Sequence, residues 1–176
     1  YKTLFHNSDV VAALQNTLTI GFGSALIATV IGVLAAVGID AMKKRSYSLT
    51  LGVGNIPMLN ADIVTGIALM LWFSRFTNLG YVSILLAHVT FNIPYVILSV
   101  LPKLRQMDVS VYEAARDLGA SSVTAFTRVV LPNIFPAVVS GFFMAMTMSM
   151  DDFVVTYFTK GAGINTLSTM IYGELK

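Results

Sequence analysis

The sequence predicts an all-α protein that crosses a lipid bilayer several times, and two observations support this prediction. Hydrophobic residues make up 56% of the 176 residues and charged residues only 11%, which is typical of polytopic membrane proteins rather than of soluble domains. Residues 10–39 contain no charged side chain, and a helix of that length exceeds the ~30 Å hydrocarbon core of a bilayer. The small net positive charge gives no indication of binding to nucleic acid.

Three further apolar runs follow the first one. Residues 49–73, 81–101 and 133–155 are each long enough to cross the membrane, and we expect about four to five transmembrane helices in all. The second of the four predicted spans is interrupted by Asn55, Pro57, Asn60 and Asp62. We therefore expect a broken or bent helix there, which is tolerated at membrane depth only against protein or a water-filled cavity.

Small residues recur at helical spacing within the first predicted span. They form two stripes, Gly21, Ala25 and Thr29 in one and Ala28, Gly32 and Ala36 in the other. Small residues four positions apart allow two helices to approach closely in lipid. The sequence therefore predicts that the first span packs against other spans rather than standing alone.

The one long amphipathic segment of the chain covers residues 110–132. Ser110 followed by Glu113 matches a capping box, which predicts that a short helix begins at Ser110. Gly119 stands where a left-handed residue commonly ends a helix. The pattern predicts a short helix, a turn at the glycine and a second helix.

The second helix of this segment has its own start and stop signals. Ser121 or Ser122 is expected to cap its beginning, and Pro132 is expected to mark the turn into the next apolar run. Ala114 and Ala115 on the first helix are small, as is the glycine that follows. Another protein's side chains are therefore expected to approach this backbone closely.

Basic side chains are distributed unevenly around the predicted spans. If each apolar run crosses the membrane once, seven basic residues fall on one side and four on the other. The seven are Lys43, Lys44, Arg45, Lys103, Arg105, Arg116 and Arg128, and the four are Lys2, Arg75, Lys160 and Lys176. The positive-inside rule places the first group, and with it the amphipathic segment, in the cytoplasm.

Three carboxylates lie within predicted spans, Asp62 in the second and Asp151 and Asp152 near the outer end of the fourth. An ionisable residue in a span costs about 2.5 kcal/mol or more on insertion scales and usually faces a pathway or a partner. We expect these three residues to line a substrate pathway, with Ser149 and Thr147 beside them. Capping of a helix, or a position at the membrane interface, is the alternative role for Asp152.

His88 and Asn92 lie four residues apart in the third predicted span and share one helix face. Packing against a neighbouring span is the expected role of both side chains. The other histidine, His6, is far away in the sequence, and the chain has no cysteine. The sequence therefore predicts no metal site and no cofactor.

The amphipathic segment resembles the EAA motif of bacterial ABC-importer permeases (the MetI-like family). The residues that carry the resemblance are Glu113, Ala114, Ala115, Gly119, Val129, Leu131 and Pro132, with Val129 in place of the more usual isoleucine. In that family the segment is a cytoplasmic coupling helix that docks into a groove on the ATPase subunit. The resemblance implies one permease domain over residues 1–176 with a coupling segment at 108–132. It also implies that ATP is hydrolysed by a partner and not by this chain.

Three other stretches make the chain similar to the polyamine-importing branch of the family. They are ADIV with Asp62, HVTFNIPYV from His88 to Val96, and SMDDFVV from Ser149 to Val155. The resemblance implies a location in the bacterial inner membrane and assembly with an ABC ATPase dimer, a second permease subunit and an extracytoplasmic substrate-binding protein. Members of the family usually have six spans, so the chain is expected to be part of a longer protein.

The same resemblance implies a polyamine such as spermidine or putrescine as the substrate. A polyamine is a flexible polycation, so it needs spaced carboxylates for its ammonium groups and apolar or aromatic walls for its methylenes. The three membrane aspartates are the candidates for the first requirement. Trp72, Phe153 and Tyr157 are candidates for the second through cation–π contacts, although aromatic residues also form belts at membrane interfaces.

Other functions compete with this interpretation. A permease of the same family for ferric iron or opines fits the coupling segment equally well, whereas an oxyanion path would require basic residues within the spans. An ion-coupled secondary carrier would also use membrane carboxylates, but it has no need for a coupling helix. An intramembrane aspartyl protease requires a GxGD-type site, and the sequence has none.

Overall fold

The computed structural model describes residues 8–76 and 78–174. Lys2, His6 and Lys176, which entered the predictions above, lie outside these ranges. All regular elements in the described ranges are helical, which confirms the predicted class. In chain order they are α1 (Ser8–Asp40), α2 (Lys44–Gly54), α3 (Ile56–Leu59), α4 (Asp62–Phe76), α5 (Tyr81–Gln106), α6 (Val109–Asp117), α7 (Ser122–Ala125), a π-helical turn (Phe126–Val130), α8 (Leu131–Asp151), α9 (Val154–Thr159) and α10 (Leu167–Glu174).

Three helical segments of the described chain are long and apolar enough to cross a membrane. They are α1, α5 and the continuous run Ser122–Asp151 that joins α7, the π-helical turn and α8. These three segments correspond to the first, third and fourth predicted spans. The second predicted span is divided into α2, α3 and α4, of which the longest has 15 residues. The predicted interruption is confirmed, and one break lies at Asn60, whose backbone is extended.

The three long helices form one bundle, with α1 and α5 parallel and α8 antiparallel to both. Positions along α1 and α5 meet in the same order, since Gly23 lies next to Leu85 and the Arg105 Nε lies 3.2 Å from the Asp40 Oδ1. Ser24, in the middle of α1, contacts Ser149 near the end of α8, whereas Gly32, further along α1, and Gly141, earlier in α8, both lie against Val96 of α5. The broken segment α2–α4 therefore carries the chain back from the Asp40 end of the bundle to the start of α5.

Small residues make the close packing of the bundle possible, as the two stripes in the first span predicted. Ala25, Ala28 and Ala36 of α1 are fully buried. Gly32 of α1 and Gly141 of α8 both face Val96 of α5. Lipid tails are as apolar as the helices, so association depends on van der Waals contact, which small residues increase by letting backbones approach.

The contact between α1 and α5 at Gly32 generates a test with a matched control. A Cβ at Gly32 would lie 2.7 Å from the Val96 Cβ and Cγ1, whereas a Cβ at Gly38 on the same helix would have nothing within 4 Å. Both changes to alanine gain about 1 kcal/mol of helix propensity, but only Gly32→Ala overpacks the bundle, at a cost of about 1–3 kcal/mol. We expect Gly32→Ala to lower the thermal unfolding temperature of the detergent-purified protein and Gly38→Ala to leave it unchanged or raise it. Equal unfolding temperatures for the two variants would contradict this packing.

Candidate functional site

One cavity brings together the three aspartates that the sequence placed in two different spans. Its volume is about 250 Å³, and it opens between α4, α5, the end of α8 and the start of α9. Its lining residues are Met58, Asp62, Thr65, Phe91, Tyr95, Met148, Asp151, Asp152, Phe153, Val154 and Val155. No lysine or arginine is among these lining residues, so the fixed charge of the cavity wall is negative.

The aspartates stand where helices are interrupted. Asp62 is the first residue of α4, Asp151 is the last residue of α8, and Asp152 opens the two-residue break before α9. The two resumed helices α4 and α9 pack on each other, because Gly66 lies against Phe158 and the backbone of α9. Interrupted helices within a bundle expose backbone polar groups, so they require protein or water beside them.

Both breaks lie well inside the bundle. The cavity is lined by Phe91 and Tyr95 of α5, and these positions are roughly 15–20 Å along α5 from its start at 1.5 Å per residue. Asp151 was predicted near the outer end of its span, and the structure places it deeper. The reason is that α8 ends early and the separate helix α9 continues towards the outer end.

The Asp152 carboxylate serves as the cap of α9. Its oxygens accept hydrogen bonds from the backbone N–H of Val155 at 3.3 Å and of Thr156 at 2.8 Å, and from the Thr156 hydroxyl at 2.9 Å. The Nε2 of buried His88 lies 3.5 Å from the same carboxylate. The capping role that the sequence allowed for Asp152 is therefore present, and its charge is already used within the protein.

Asp62 and Asp151 differ from Asp152 in having exposed side chains. Neither carboxylate forms a hydrogen bond or an ion pair with another residue in the described part of the chain. The Thr65 hydroxyl oxygen, on the same cavity wall, is buried and has no hydrogen-bond partner among the described residues. The cavity thus presents two free carboxylates, and the unsatisfied Thr65 hydroxyl lies buried in its wall.

The structure corrects the expected position of Ser149 and Thr147. Ser149 is buried in the bundle, where its hydroxyl contacts the Ser24 Oγ at 2.9 Å and the Nδ1 of His88. Thr147 is exposed and donates a hydrogen bond to the Phe143 carbonyl, and neither residue lines the cavity. Successive residues of a helix are ~100° apart, so Ser149 and Asp151 point to nearly opposite sides. His88 packs against neighbouring helices as predicted, but sequence reasoning did not foresee its hydrogen bonds with Ser149 and Thr156.

The predicted coupling segment has the helix–turn–helix form that the sequence indicated. α6 is followed by Gly119, whose φ of +86° lies in the left-handed region that favours glycine. The Ser121 side chain then caps α7 by accepting a hydrogen bond from the Thr124 N–H. Arg116 closes the turn, since its Nη1 donates to the Ala120 carbonyl and to the Ser122 hydroxyl.

Two details of this segment differ from the predictions. α6 begins at Val109 and is capped by Asp108, whose carboxylate accepts a hydrogen bond from the Ser110 N–H at 3.0 Å, so Ser110 is not the cap. Pro132 does not separate two elements, because the π-helical turn leads without a break into α8. A proline in the first turn after a π-helical turn is tolerated, since the regular hydrogen-bond pattern is already interrupted there.

The surface of the coupling segment is open. No residue of α6 is buried, and Glu113, Ala114 and Gly119 are exposed, while Ala115, Val129 and Leu131 are partly buried. Leu118 is 90% exposed and Val123 is 73% exposed. Large apolar side chains at such exposures next to small residues are typical of a surface that contacts another protein.

The Asp108 cap generates a prediction about the stability of the first turn of α6. Its hydrogen bonds with Ser110 lower the pKa of the Asp108 carboxyl below its ordinary value. The cap therefore contributes fully above the ordinary pKa and is lost as the pH falls through the lowered one. We expect Asp108→Ala to speed amide hydrogen exchange at the start of α6 near neutral pH and Asp108→Ser, which can still cap, to speed it less. Identical exchange in both variants and the native protein would contradict the cap.

Comparison with known proteins identifies the family. Residues 28–174 match the family model of the "Binding-protein-dependent transport system inner membrane component". The chain is 38% identical to the spermidine/putrescine transport system permease protein PotC of Haemophilus influenzae, over all of this chain and 69% of that protein. It is 37% identical to PotC of Escherichia coli K12, over 67% of that protein, and 33% identical to the putrescine transport system permease protein PotI of the same strain, over 66%.

A solved structure supports the fold. The chain superposes on a crystal structure of an amino acid ABC transporter with a TM-score of 0.67, over 99% of this chain and 78% of that one, at 19% sequence identity. The helical fold of this chain is thus a known architecture. The chain belongs to the binding-protein-dependent transport system inner membrane components, and it is a multi-pass permease subunit of an ABC importer in the bacterial inner membrane.

Proposed function

We propose that this permease subunit conducts polyamines, the substrates named for its relatives PotC and PotI. The observation that carries the proposal is the pair of free carboxylates, Asp62 and Asp151, on one cavity between two helix breaks. The two residues belong to different helices, so they present separate negative charges to one ligand. A cation with several spaced ammonium groups matches this arrangement better than a single compact charge.

The walls of the cavity provide the aromatic and apolar surface that a polyamine also requires. Phe91, Tyr95 and Phe153 line it together with aliphatic side chains, and aromatic faces attract ammonium groups as well as covering methylenes. Of the three aromatic candidates from the sequence, only Phe153 reaches the cavity. Trp72 is largely exposed and packs on Phe76, which suits the lipid interface.

Tyr157, the third aromatic candidate, belongs to a cluster beside the cavity. Its ring lies near those of Phe153 and Tyr172, and the Lys160 ammonium group lies 5.9 Å from its centroid. The positive charge of a lysine at this place would repel a polycationic substrate. Tyr157 therefore supports the position of Phe153 in our proposal and does not bind substrate itself.

The coupling segment, residues 108–132, is in our proposal the contact with one subunit of an ABC ATPase dimer. Exposed Leu118 and Val123 provide apolar contact area, Glu113 a charged anchor, and Gly119 the turn between the two helices. Leu131 and Pro132 join the segment rigidly to α8, which ends at Asp151. A displacement of the segment on ATP binding is thereby transmitted to the cavity.

The remaining partners of the proposal follow from the family. A second permease subunit completes the pathway, and an extracytoplasmic substrate-binding protein delivers the polyamine. ATP hydrolysis takes place in the ATPase partner, so this chain has no catalytic residue of its own in the proposal. The basic residues of the described chain fit this orientation, since Arg105 and Arg116 lie at the end of the bundle that carries the coupling segment.

The cargo proposal is tested by removing the free carboxylates one at a time. We expect Asp62→Asn and Asp151→Asn each to raise the KM for spermidine uptake about tenfold, because a charged hydrogen bond contributes about 1.5–3 kcal/mol. Asp40→Asn is the matched control, since Asp40 forms only an exposed pair with Arg105 and such pairs contribute little. Uptake is measured with radiolabelled spermidine and putrescine in proteoliposomes that contain the assembled importer. Native uptake kinetics in both cavity variants would overturn the polyamine proposal.

The coupling proposal is tested at Gly119. Valine is strained at a φ of +86°, whereas asparagine tolerates the left-handed region. We expect Gly119→Val to lower ATP-driven uptake at least tenfold and to remove its link to ATP hydrolysis, while Gly119→Asn stays within about twofold of the native rate. The measurement compares hydrolysis and uptake in the same proteoliposomes. Coupled, native-like transport by the valine variant would refute the role of this turn.

A further inference from the structure

A chain of buried hydrogen bonds lies directly behind the cavity. His88 of α5 is 1% exposed, and its Nδ1 contacts the Ser149 hydroxyl of α8. Its Nε2 lies 2.9 Å from the Thr156 hydroxyl of α9. Ser149 in turn contacts Ser24 of α1, and Thr156 donates to Asp152. We call these five residues, Ser24, Ser149, His88, Thr156 and Asp152, the His88 chain.

On one side of the ring, the protons of the His88 chain are directed towards Asp152. The Thr156 hydroxyl has one proton and donates it to the Asp152 carboxylate, so the His88 Nε2–H donates to Thr156. On the other side, the His88 Nδ1 and the Ser149 hydroxyl form a hydrogen bond, and Ser149 shares a further one with the Ser24 hydroxyl. The Ser24 hydroxyl also lies 3.2 Å from the Gly21 carbonyl, to which it can donate. Each group has a hydrogen-bond partner, and the carboxylate is the acceptor at one end of the chain.

The His88 chain crosses the break between α8 and α9. Ser149 belongs to α8, Thr156 belongs to α9, and His88 on the rigid helix α5 holds one with each ring nitrogen. Asp151 lies between these two attachment points. Its backbone is therefore held on both sides of the break, although its carboxylate forms no hydrogen bond with the imidazole.

No water-exposed group can replace these bonds. His88 and Thr156 are both fully buried, and Ser149 is nearly so. A buried polar group that loses its partner bears the full cost of desolvation, and a network that is partly satisfied is less stable than a complete one. Loss of one link would therefore shift the break rather than leave it in place.

We propose that His88 is a positioning residue that sets the geometry of the α8–α9 break and so directs Asp151 into the cavity. His88 does not line the cavity and does not touch the substrate. The inference deepens the proposed function, because it names what holds one of the two substrate carboxylates. Under this inference Asp152 maintains the structure of the site, whereas Asp62 and Asp151 bind the polyamine.

The first test does not depend on the cargo. The sequence contains no cysteine, so Val154→Cys places a single thiol of this chain at the break, on the cavity wall. The rate of its reaction with a cationic methanethiosulfonate reagent is measured in membrane vesicles that contain the assembled importer. We expect Thr156→Val, which removes the hydroxyl without changing the size of the side chain, to alter the rate at least threefold. Thr156→Ser keeps the hydroxyl and should stay within a factor of about two.

The second test separates substrate affinity from turnover. We expect Thr156→Val to raise the KM for spermidine uptake about tenfold with little change in maximal rate, and Thr156→Ser to restore the native KM. At position 88, glutamine can place an amide N–H near the Nε2 position, whereas asparagine cannot reach Thr156. His88→Gln should therefore retain more affinity than His88→Asn. The double variant of His88→Asn and Thr156→Val should raise the KM no further than one change, because both break the same chain.

The outcomes distinguish this inference from the proposed function. Equal thiol reactivity and equal KM values for Thr156→Val and Thr156→Ser would overturn the positioning role. If the thiol rates differ between these two variants but Asp151→Asn leaves polyamine uptake unchanged, the positioning role stands and the polyamine cargo fails. Should His88→Asn not assemble, the isosteric pair at Thr156 still decides the question.

Discussion

The backbone groups freed where α8 stops are the constraint on which this site depends. A helix that ends inside a bilayer leaves N–H and C=O groups without water, and each one must find a partner in the protein. Asp152 provides that partner for the beginning of α9 by accepting from Val155 and Thr156. Because that requirement is met by one carboxylate, the neighbouring carboxylate of Asp151 remains available, and a cavity exists where a continuous helix would have filled the space.

The three-helix bundle is stable enough to tolerate such an interruption. Gly32 and Gly141 bring α1 and α8 against the same residue of α5, Val96, so the core is held together without its interrupted neighbours. α4 and α9 then add to this core as short pieces. The continuous helices thus form the core, and the broken helices carry the charged residues. Charge is tolerated at the breaks because water and protein dipoles there offset its cost in the membrane.

The sequence was sufficient to predict those features of the fold that depend only on residues close together along the chain. The charge-free run in α1, the left-handed turn at Gly119 and the cap at Ser121 follow from composition or from neighbours along the chain. The sequence failed where a tertiary contact decides. Ser149 lay within reach of the aspartates by residue number, yet the early end of α8 and the imidazole of His88 turn it into the core. Residue spacing alone cannot show where a helix stops.

The pairing of α4 with α9 has a mechanical consequence. Gly66 of α4 lies in contact with the Phe158 ring and with the backbone of α9, so α4 and α9 pack closely against each other. Asp62 stands at the start of one and Asp151 just before the start of the other. If α4 and α9 tilt together against the bundle, Asp62 moves with α4 while Asp151 stays with α8, so the spacing of the two negative charges changes. A ligand that spans both carboxylates would then be held more tightly in one position of the pair than in the other.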